Sequence, residues 1–219
     1  GWYLPWVDSS LNWALPWLAI PFALAVTLAA VLMLIAVVTN WRRSAPEERL
    51  VAHGEEPEVL VIIPTAGEPP TMVYATACSV LEQHYPVTRI RLVISDDSHR
   101  AGIREVVARL QHEFPDGLVA YHEPPYRGDP TRRGAAKAGN LNSVLDAIET
   151  YAPGVEFIET RDADDLVGDP TFLRQAIGQL LANSTVAYVQ TIKEARVSPG
   201  DPFGNLEPLF YRRLMMSRN

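Results

Sequence analysis

Residues 59–97 read VLVIIPTAGEPPTMVYATACSVLEQHYPVTRIRLVISDD, and this stretch alternates between two kinds of pattern. VLVIIP at 59–64 and RIRLVIS at 89–95 are short apolar runs rich in β-branched side chains, which is typical of buried strands. Between them, residues 69–86 have helical spacing of apolar positions and are bounded by prolines. A strand, a helix and a strand in this order predict a right-handed βαβ unit with parallel strands.

The alternation continues as far as residue 191. We predict helices at residues 103–114, 135–150 and 171–183 and strands at residues 118–123, 155–160 and 185–191. Residues 124–134 are rich in Pro, Gly and Arg, and we predict a loop there. The predicted fold class is α/β with a mostly parallel sheet.

The N-terminal part of the chain is different, because the range from Ser9 to Trp41 contains no charged side chain. Residues 18–38, LAIPFALAVTLAAVLMLIAVV, would span roughly 30 Å as a helix, which is the thickness of the hydrocarbon core of a bilayer. Trp13 and Trp17 precede this segment and Trp41 follows it, as in an aromatic belt. The sequence therefore predicts a transmembrane helix.

Positive charge follows the apolar segment directly. Arg42 and Arg43 predict, by the positive-inside rule, that the polar domain lies on the cytoplasmic side of the inner (plasma) membrane. The alternatives are a buried core helix, which rarely runs so long without a polar face, and a signal peptide, whose apolar core is only about 7–15 residues. We predict a transmembrane segment with flanks at 1–43 (helix at about 14–39), a linker at 44–57 and a domain at 58–219.

The composition excludes several classes of protein. The 219 residues include 19 basic and 26 acidic side chains, with a net charge of −7. An acidic chain is a poor electrostatic candidate for general nucleic-acid binding. The single cysteine, Cys78, excludes an internal disulfide framework and a cysteine-rich zinc site.

Acidic side chains follow the ends of the predicted strands. In parallel α/β sheets, the carboxyl edge is where ligands bind. Carboxylates gathered there would repel one another, unless a divalent cation neutralises them. We therefore predict a site for a metal ion and a nucleotide, with these acids at its centre: Glu68, Asp96, Asp97, Asp162, Asp164 and Asp165.

Each motif also has a simpler interpretation. Asp162 and Asp164 can point at one hard cation, but an Asp-x-Asp is often only a solvated turn, and Asp165 or Asp169 can cap the next helix. Lys137, one of two lysines in the chain, stands among small residues that allow a diphosphate to approach.

The second strand ends at an acidic pair. A carboxylate of Asp96 or Asp97 can accept the N3–H of uracil, although the same pair can serve as a turn or as the cap of the next helix. Position alone leaves these two interpretations open.

Together these motifs resemble the family-2 glycosyltransferases with a GT-A fold (a Rossmann-like nucleotide-diphospho-sugar transferase fold), in the membrane-embedded branch that includes cellulose synthase. The resemblance runs from about Val59 to Leu206. The segments that carry it are Ile63-Pro64-Thr65 with Glu68, Asp96-Asp97, Lys137-Ala138-Gly139-Asn140-Leu141-Asn142, Asp162-Ala163-Asp164, Val189-Gln190-Thr191, and Asp201-Pro202-Phe203-Gly204-Asn205-Leu206.

The resemblance implies a role for each matching residue. Thr65 and Glu68 would lie by the ribose and base, Asp97 with Asp96 beside it would hold uracil, and Lys137 would contact the diphosphate. Asp162 and Asp164 would bind Mg²⁺ or Mn²⁺, with Asp162 also near the nucleotide sugar. Gln190 and Thr191 would lie near the donor sugar or the acceptor. The family implies inverting transfer from a UDP-sugar to a growing β-linked polysaccharide such as cellulose or another β-glucan.

The chain departs from the family pattern in three ways. Ala66 and Gly67 replace the aromatic-containing stretch that often precedes Glu68, and residues 192–197 lack the aromatics of many cellulose synthases. The family's catalytic Asp base and its Gln-x-x-Arg-Trp motif are expected beyond Asn219. The chain is thus expected to be a fragment.

Other functions remain open. A transferase acting on a lipid (polyprenyl phosphate) carrier and a non-catalytic, membrane-anchored nucleotide-binding subunit would share these motifs. A haloacid-dehalogenase-type phosphatase is disfavoured, because such enzymes have Thr or Val at the position of Leu166. A receiver domain is disfavoured as well, because its lysine follows the phosphorylatable Asp, whereas Lys137 precedes the Asp group. Residues 206–218, which mix apolar side chains with arginines, are interpreted as a core-packing helix or a helix at the membrane surface.

Overall fold

The computed structural model describes residues 14–40, 48–191 and 193. The chain divides into two compact units. One consists of Gly1–Glu47 with Gln190–Asn219, and the other is Glu48–Val189.

The first unit contains a long apolar helix, α1, at Ala14–Asn40. Its stretch Ala19–Thr39 has 21 residues and a mean hydropathy of 2.7, so that it is long and apolar enough to cross a membrane. The hydroxyl of Thr39 donates to the carbonyl oxygen of Ile35, 2.8 Å away, which satisfies a polar group within an apolar helix. The predicted helix is confirmed; Trp13, Trp41, Arg42 and Arg43 lie outside the described residues.

The second unit is built on a parallel sheet of four strands, β1 (Val59–Thr65), β2 (Ile90–Asp96), β3 (Leu118–His122) and β4 (Phe157–Thr160). Their order in the sheet is β3-β2-β1-β4, as the α/β patterning predicts. In this register Val59 of β1 pairs with Ile90 of β2 on one side and with Phe157 of β4 on the other.

Helices connect the strands. Pro70 stands in the first turn of the helix after β1, where its missing N–H costs no hydrogen bond. The helices are α2 (Pro70–Leu81), α3 (Ala101–Glu113), α4 (Ala136–Asp146), α5 (Ile148–Tyr151) and α6 (Phe172–Ala182), with a 3₁₀ turn at Val87–Arg89.

Side chains of β1 alternate between two apolar clusters. Val61 and its neighbours in the alternation join a large cluster with residues of α2, α3 and α6, while Leu60 and Ile62 join a smaller one with Val144 of α4. Every residue of β1 is buried. Full burial of such a side chain contributes about 1.5–3 kcal/mol, so this central strand fixes the sheet on which the site is built.

Two predicted elements differ from the structure. Residues 185–191 form no strand and do not pair with the edge strand β4. The predicted helix at 135–150 is divided into α4 and α5 at Ala147, whose ψ of 16° departs from helical geometry.

Part of the predicted linker is packed into the second unit. The Arg174 side chain on α6 donates to the carbonyl oxygen of Val51, and the Val51 N–H donates to the Arg174 carbonyl, 3.1 Å away. A side chain at Gly178 would lie only 2.1 Å from the carbonyl oxygen of Arg49. The part of the predicted linker from residue 48 to residue 57 therefore belongs to the unit Glu48–Val189.

Candidate active site

The site lies at the carboxyl edge of the sheet, where β1, β2 and β4 end. Backbone hydrogen bonds fix the segments that leave the strands. The Asp97 N–H donates to the Thr65 carbonyl oxygen (2.8 Å), and the Arg161 N–H donates to the Ile62 carbonyl oxygen (3.0 Å). The segments that carry Glu68, the acidic pair and the later Asp group thus start from one edge.

Glu68 is held by the turn that follows β1. Its carboxylate accepts hydrogen bonds of 2.7 Å from the Thr65 hydroxyl and from the Ala66 N–H. Partial burial acts to raise the pKa of Glu68, but the hydrogen bonds from Ala66 and Thr65 outweigh it, so the pKa lies below its usual value. The guanidinium of Arg100 donates to the Glu68 carbonyl (2.9 Å) and to the Thr65 hydroxyl (3.2 Å).

Asp96 shapes the loop that leads into α3. Its side chain is fully buried, and its carboxylate accepts the backbone N–H groups of Ser98 (3.0 Å) and Arg100 (2.6 Å). The turn that it holds includes His99 with a φ of 51°, in the left-handed region. A ligand would have to displace these bonds to contact Asp96, so the geometry favours the turn interpretation for this residue.

Asp97 is clasped by two arginines. Arg132 Nη1 lies 2.5 Å from its Oδ1 atom, and Arg127 Nε lies 2.8 Å from its Oδ2 atom. The side chains of Asp97 and Arg132 are both only 3% exposed, whereas that of Arg127 is 64% exposed. The carboxylate predicted to hold uracil is therefore oriented by one buried and one exposed cation.

Arg132 also connects two backbone segments. Its Nη1 atom donates to the Pro125 carbonyl (2.6 Å) and its Nη2 atom to the Ala136 carbonyl (2.8 Å). Gly139 makes room for it, because a side chain there would lie 2.5 Å from Arg132 Nε and 2.3 Å from the Gly134 carbonyl oxygen. Gly139 is thus required by close packing.

Two asparagines of the lysine motif fix α4. Asn140 is buried and donates to the carbonyl oxygen of Ser95 in β2, 3.0 Å away. Asn142 donates to the carbonyl oxygen of Arg133 in the preceding loop, 2.8 Å away. Both amides therefore hold α4 and its loop in place beside the end of β2.

Lys137, in the first turn of α4, forms an ion pair with Asp162 in the loop after β4. Both side chains are partly exposed. The lysine motif and the Asp-x-Asp motif, which are far apart in the sequence, thus meet at the edge of the sheet.

Three carboxylates of this loop form a potential metal site. One carboxylate oxygen from each of Asp162, Asp164 and Asp165 lies within 4.8 Å of the others. An all-oxygen set of this kind suits a hard divalent cation such as Mg²⁺ or Mn²⁺. The sequence analysis includes Asp165 in the acidic group but not among the predicted metal ligands, because its position also fits a helix cap.

Hydrogen bonds from α2 fix the backbone of the acidic loop. The Thr76 hydroxyl donates to the Ala163 carbonyl (2.7 Å), and the Ser79 hydroxyl accepts the Val167 N–H (3.0 Å). Next to the loop, Arg161 is nearly buried and pairs with Glu159. Burial raises the pKa of Glu159 even though Arg161 opposes the shift.

Three arginines of the site were missed by the sequence analysis: Arg100, Arg127 and Arg132. The last two lie in the loop that follows β3, and this loop also lines a cavity of about 370 Å³. The available signal was that a loop after a parallel strand starts at the same edge as the acids. The cavity is lined by Arg127, Gly128, Asp129, Arg132, Gly134, Ala135 and Ala136.

The predicted donor-sugar or acceptor residues are in the other unit. Gln190 and Thr191 are exposed and belong to the unit Gly1–Glu47 with Gln190–Asn219, so their role stays a prediction. The motif at 201–206 and the predicted helix at 206–218 lie outside the described residues.

Comparison with known proteins gives a family match over most of the chain. The family described as Glycosyl transferase family 2 matches residues 60–218. This range contains every residue of the site described above.

Curated relatives are similar at low identity. A cellulose synthase catalytic subunit (UDP-forming) from Pseudomonas fluorescens is 28% identical over 151 residues, which cover 69% of this chain and 17% of the relative. Putative cellulose synthase 2 from Komagataeibacter xylinus is 26% identical over 183 residues, which cover 80% of this chain and 11% of the relative. The chain thus spans less than a fifth of the length of either relative.

A solved structure shares the fold. The mannosyltransferase PcManGT from Pyrobaculum calidifontis, in complex with GDP-Man and Mn²⁺, aligns with a TM-score of 0.54 and 24% identity. The alignment covers 75% of this chain and 45% of that one. Together with the family match, this likeness confirms the predicted GT-A fold.

Proposed function

Because the chain belongs to glycosyl transferase family 2, we propose that this glycosyltransferase domain uses a UDP-sugar and a divalent metal ion to extend a β-linked polysaccharide with inversion. The observation that carries the proposal is the ion pair between Lys137 and Asp162. Lys137 is a cation that can bind a diphosphate, and Asp162 belongs to a group of carboxylates that can bind a metal ion. The ion pair brings the two together.

The nucleotide is proposed to lie along the carboxyl edge of the sheet. Asp97 would accept the N3–H of uracil, and Lys137 would donate to the diphosphate. Thr65 and Glu68, which the turn after β1 holds together, would lie by the ribose and base. Asp96 would act by shaping the loop, since its oxygens already accept backbone N–H groups.

The metal ion would be held by Asp162, Asp164 and Asp165. When bound, Mg²⁺ or Mn²⁺ would supply positive charge that stabilises the departing diphosphate. Without a cation, a diphosphate would meet three carboxylates, and Lys137 alone cannot neutralise them. None of these residues is proposed as the base that deprotonates the acceptor hydroxyl.

We also propose residues that lie near the donor sugar or the acceptor, and a helix that anchors the protein in the membrane. Gln190 and Thr191 are proposed to lie near the donor sugar or the acceptor. The long apolar helix α1 is proposed to anchor the protein in the inner (plasma) membrane, with the catalytic domain on the cytoplasmic side. A polysaccharide acceptor is favoured over a lipid carrier by the similarity to cellulose synthases.

The test uses membranes that contain the full-length protein, with radiolabelled UDP-glucose, UDP-N-acetylglucosamine or UDP-glucuronate. We expect one donor to give polymer in the presence of Mg²⁺ or Mn²⁺ and none after chelation. Label that extracts into organic solvent would indicate a lipid carrier instead. Bound UDP without transfer of any of these sugars would favour a non-catalytic nucleotide-binding subunit.

A matched pair of variants controls the assay. Asp164→Asn removes a proposed metal ligand, whereas Asp116→Asn removes an exposed carboxylate before the amino end of β3, at the opposite edge of the sheet. We expect only the first variant to lose transfer. Equal activity of the two variants would contradict the assignment of the metal site.

A further inference from the structure

We propose that Arg132 is a positioning residue, which orients the Asp97 carboxylate for nucleotide recognition. Arg127 covers the same carboxylate and is displaced by the base of the nucleotide. The inference rests on the proposed function, because it takes Asp97 to be the residue that binds the base. Both arginines contact that carboxylate, one at each oxygen. They differ in how firmly the fold holds them.

Arg132 is fixed within the protein. Its side chain is buried, and three acceptors hold it: the Asp97 carboxylate and the carbonyl oxygens of Pro125 and Ala136. The absence of a side chain at Gly139 leaves space for its Nε atom. A planar guanidinium bound on several sides cannot rotate freely, so it sets the direction of the carboxylate.

The placement of Arg132 is not optimal for stability alone. Among the described residues, its buried Nε–H has no hydrogen-bond partner. Leaving a buried donor unsatisfied is unfavourable, and such groups in native proteins call for a specific explanation. Orientation of Asp97 provides one, because in this position the guanidinium reaches Asp97, Pro125 and Ala136 together.

Arg132 also connects the two ends of the proposed nucleotide site. Ala136, whose carbonyl it binds, has a φ of 45° in the left-handed region and directly precedes Lys137. A non-glycine residue held there is strained, and the hydrogen bond from Arg132 helps to keep it so. The same guanidinium thus acts on the base end through Asp97 and on the diphosphate end through the backbone before Lys137.

Arg127 differs from Arg132 in its exposure to solvent. Its side chain is mostly exposed, and its ion pair with Asp97 is therefore weak. With Arg127 in place, Asp97 is almost inaccessible, so a base can reach the carboxylate only when Arg127 moves aside. The N3–H of uracil then replaces one guanidinium N–H, and Arg132 continues to neutralise the carboxylate.

The experiment measures UDP and uridine affinity of the full chain in detergent with Mn²⁺. We expect Arg132→Gln to weaken both ligands by about tenfold or more, because a buried pair is broken. We expect Arg127→Gln, on the same carboxylate, to bind both ligands as well as the unmutated protein or more tightly. Equal losses in the two variants would overturn the proposal.

A double variant separates positioning from general damage. If Arg132 acts through Asp97, Arg132→Gln should cause no further loss of uridine affinity in an Asp97→Asn background. The comparison of Asp97→Asn with the double variant tests the positioning role even if Arg132→Gln alone fails to fold. The double variant lacks both partners of the buried ion pair and therefore leaves neither charge unpaired in the interior. An additional loss in that background would overturn the proposal.

Failure of the proposed function gives a different result. If the unmutated protein binds neither UDP nor uridine, both the proposed function and this inference are overturned. If it binds UDP and Arg132→Gln binds UDP equally well, only the inference is overturned.

Discussion

The ammonium group of Lys137 and the carboxylate of Asp162 form an ion pair across the carboxyl edge of the sheet, although the residues are 25 positions apart in the chain. Both are partly exposed, so the pair is weak and can be exchanged. Lys137 thus lies next to a carboxylate to which a metal ion is proposed to bind. A metal ion bound at the proposed site would therefore compete with Lys137 for Asp162.

Replacing Lys137 should have opposite effects on metal and nucleotide. In Lys137→Met we expect about two- to fivefold tighter binding of Mn²⁺ alone, because a competing cation is removed, but weaker binding of UDP. Uridine affinity should change little, since the proposed partner of Lys137 is the diphosphate. Titration calorimetry measures all three, with Arg133→Met as control, because Arg133 pairs with Asp146 in the same region. Equal losses for UDP and uridine would count against the role of Lys137.

Replacing Asp164 tests the metal site directly. Asp164→Asn should remove the metal-dependent part of UDP affinity and leave the fold intact, because this side chain is exposed. Titration with UDP in the presence and absence of Mn²⁺ measures the change, and a circular dichroism melt checks the fold. The metal assignment is wrong if the affinity with Mn²⁺ equals that of the unmutated protein.

A glycine pair tests the packing of α4. Gly139→Ala should destabilise the domain by about 1–3 kcal/mol, because the new methyl group would meet the Gly134 carbonyl oxygen at 2.3 Å. Gly168→Ala should change the free energy of unfolding much less, since nothing lies within 4 Å of its added carbon. Denaturant unfolding of both variants gives the comparison. Similar free energies of unfolding for the two variants would contradict the prediction and would show that the loop before α4 can move to accommodate a methyl group at residue 139.

The stability of the domain should depend on pH through His122. Burial lowers the pKa of His122 below 6.5, while its ring nitrogens bind the Tyr151 and Ser143 hydroxyls at 2.8 and 2.7 Å. Below pH 6.5 the unfolded chain therefore binds more protons than the folded one, and stability falls as the pH is lowered toward the folded pKa.

His122→Gln should flatten this dependence between about pH 7 and 5. Unfolding free energies at several pH values measure the slope. His112→Gln, at an exposed position of α3, is the control variant and should retain the slope. An unchanged slope in His122→Gln would contradict the prediction.

The sheet and the acidic edge were predictable, whereas the arginines were not. Strands such as β1 have an apolar pattern that depends only on local sequence, and the acids follow directly from strand ends. The partners of Arg132 depend on how the loop at 124–134 folds back on Asp97, which no periodicity encodes. The predicted strand at 185–191 did not form, because the strand propensity of a segment does not by itself determine whether it pairs with a sheet.

The two hydroxyls of α2 hold the acidic loop by its backbone, at the Ala163 carbonyl and the Val167 N–H. Loop shape and loop chemistry are therefore specified separately. Substitutions at the acidic positions would therefore change the cation preference of the proposed metal site, while the backbone contacts from Thr76 and Ser79 remain. Directed evolution toward a new metal would do well to diversify residues 162, 164 and 165 and to leave these hydroxyls untouched.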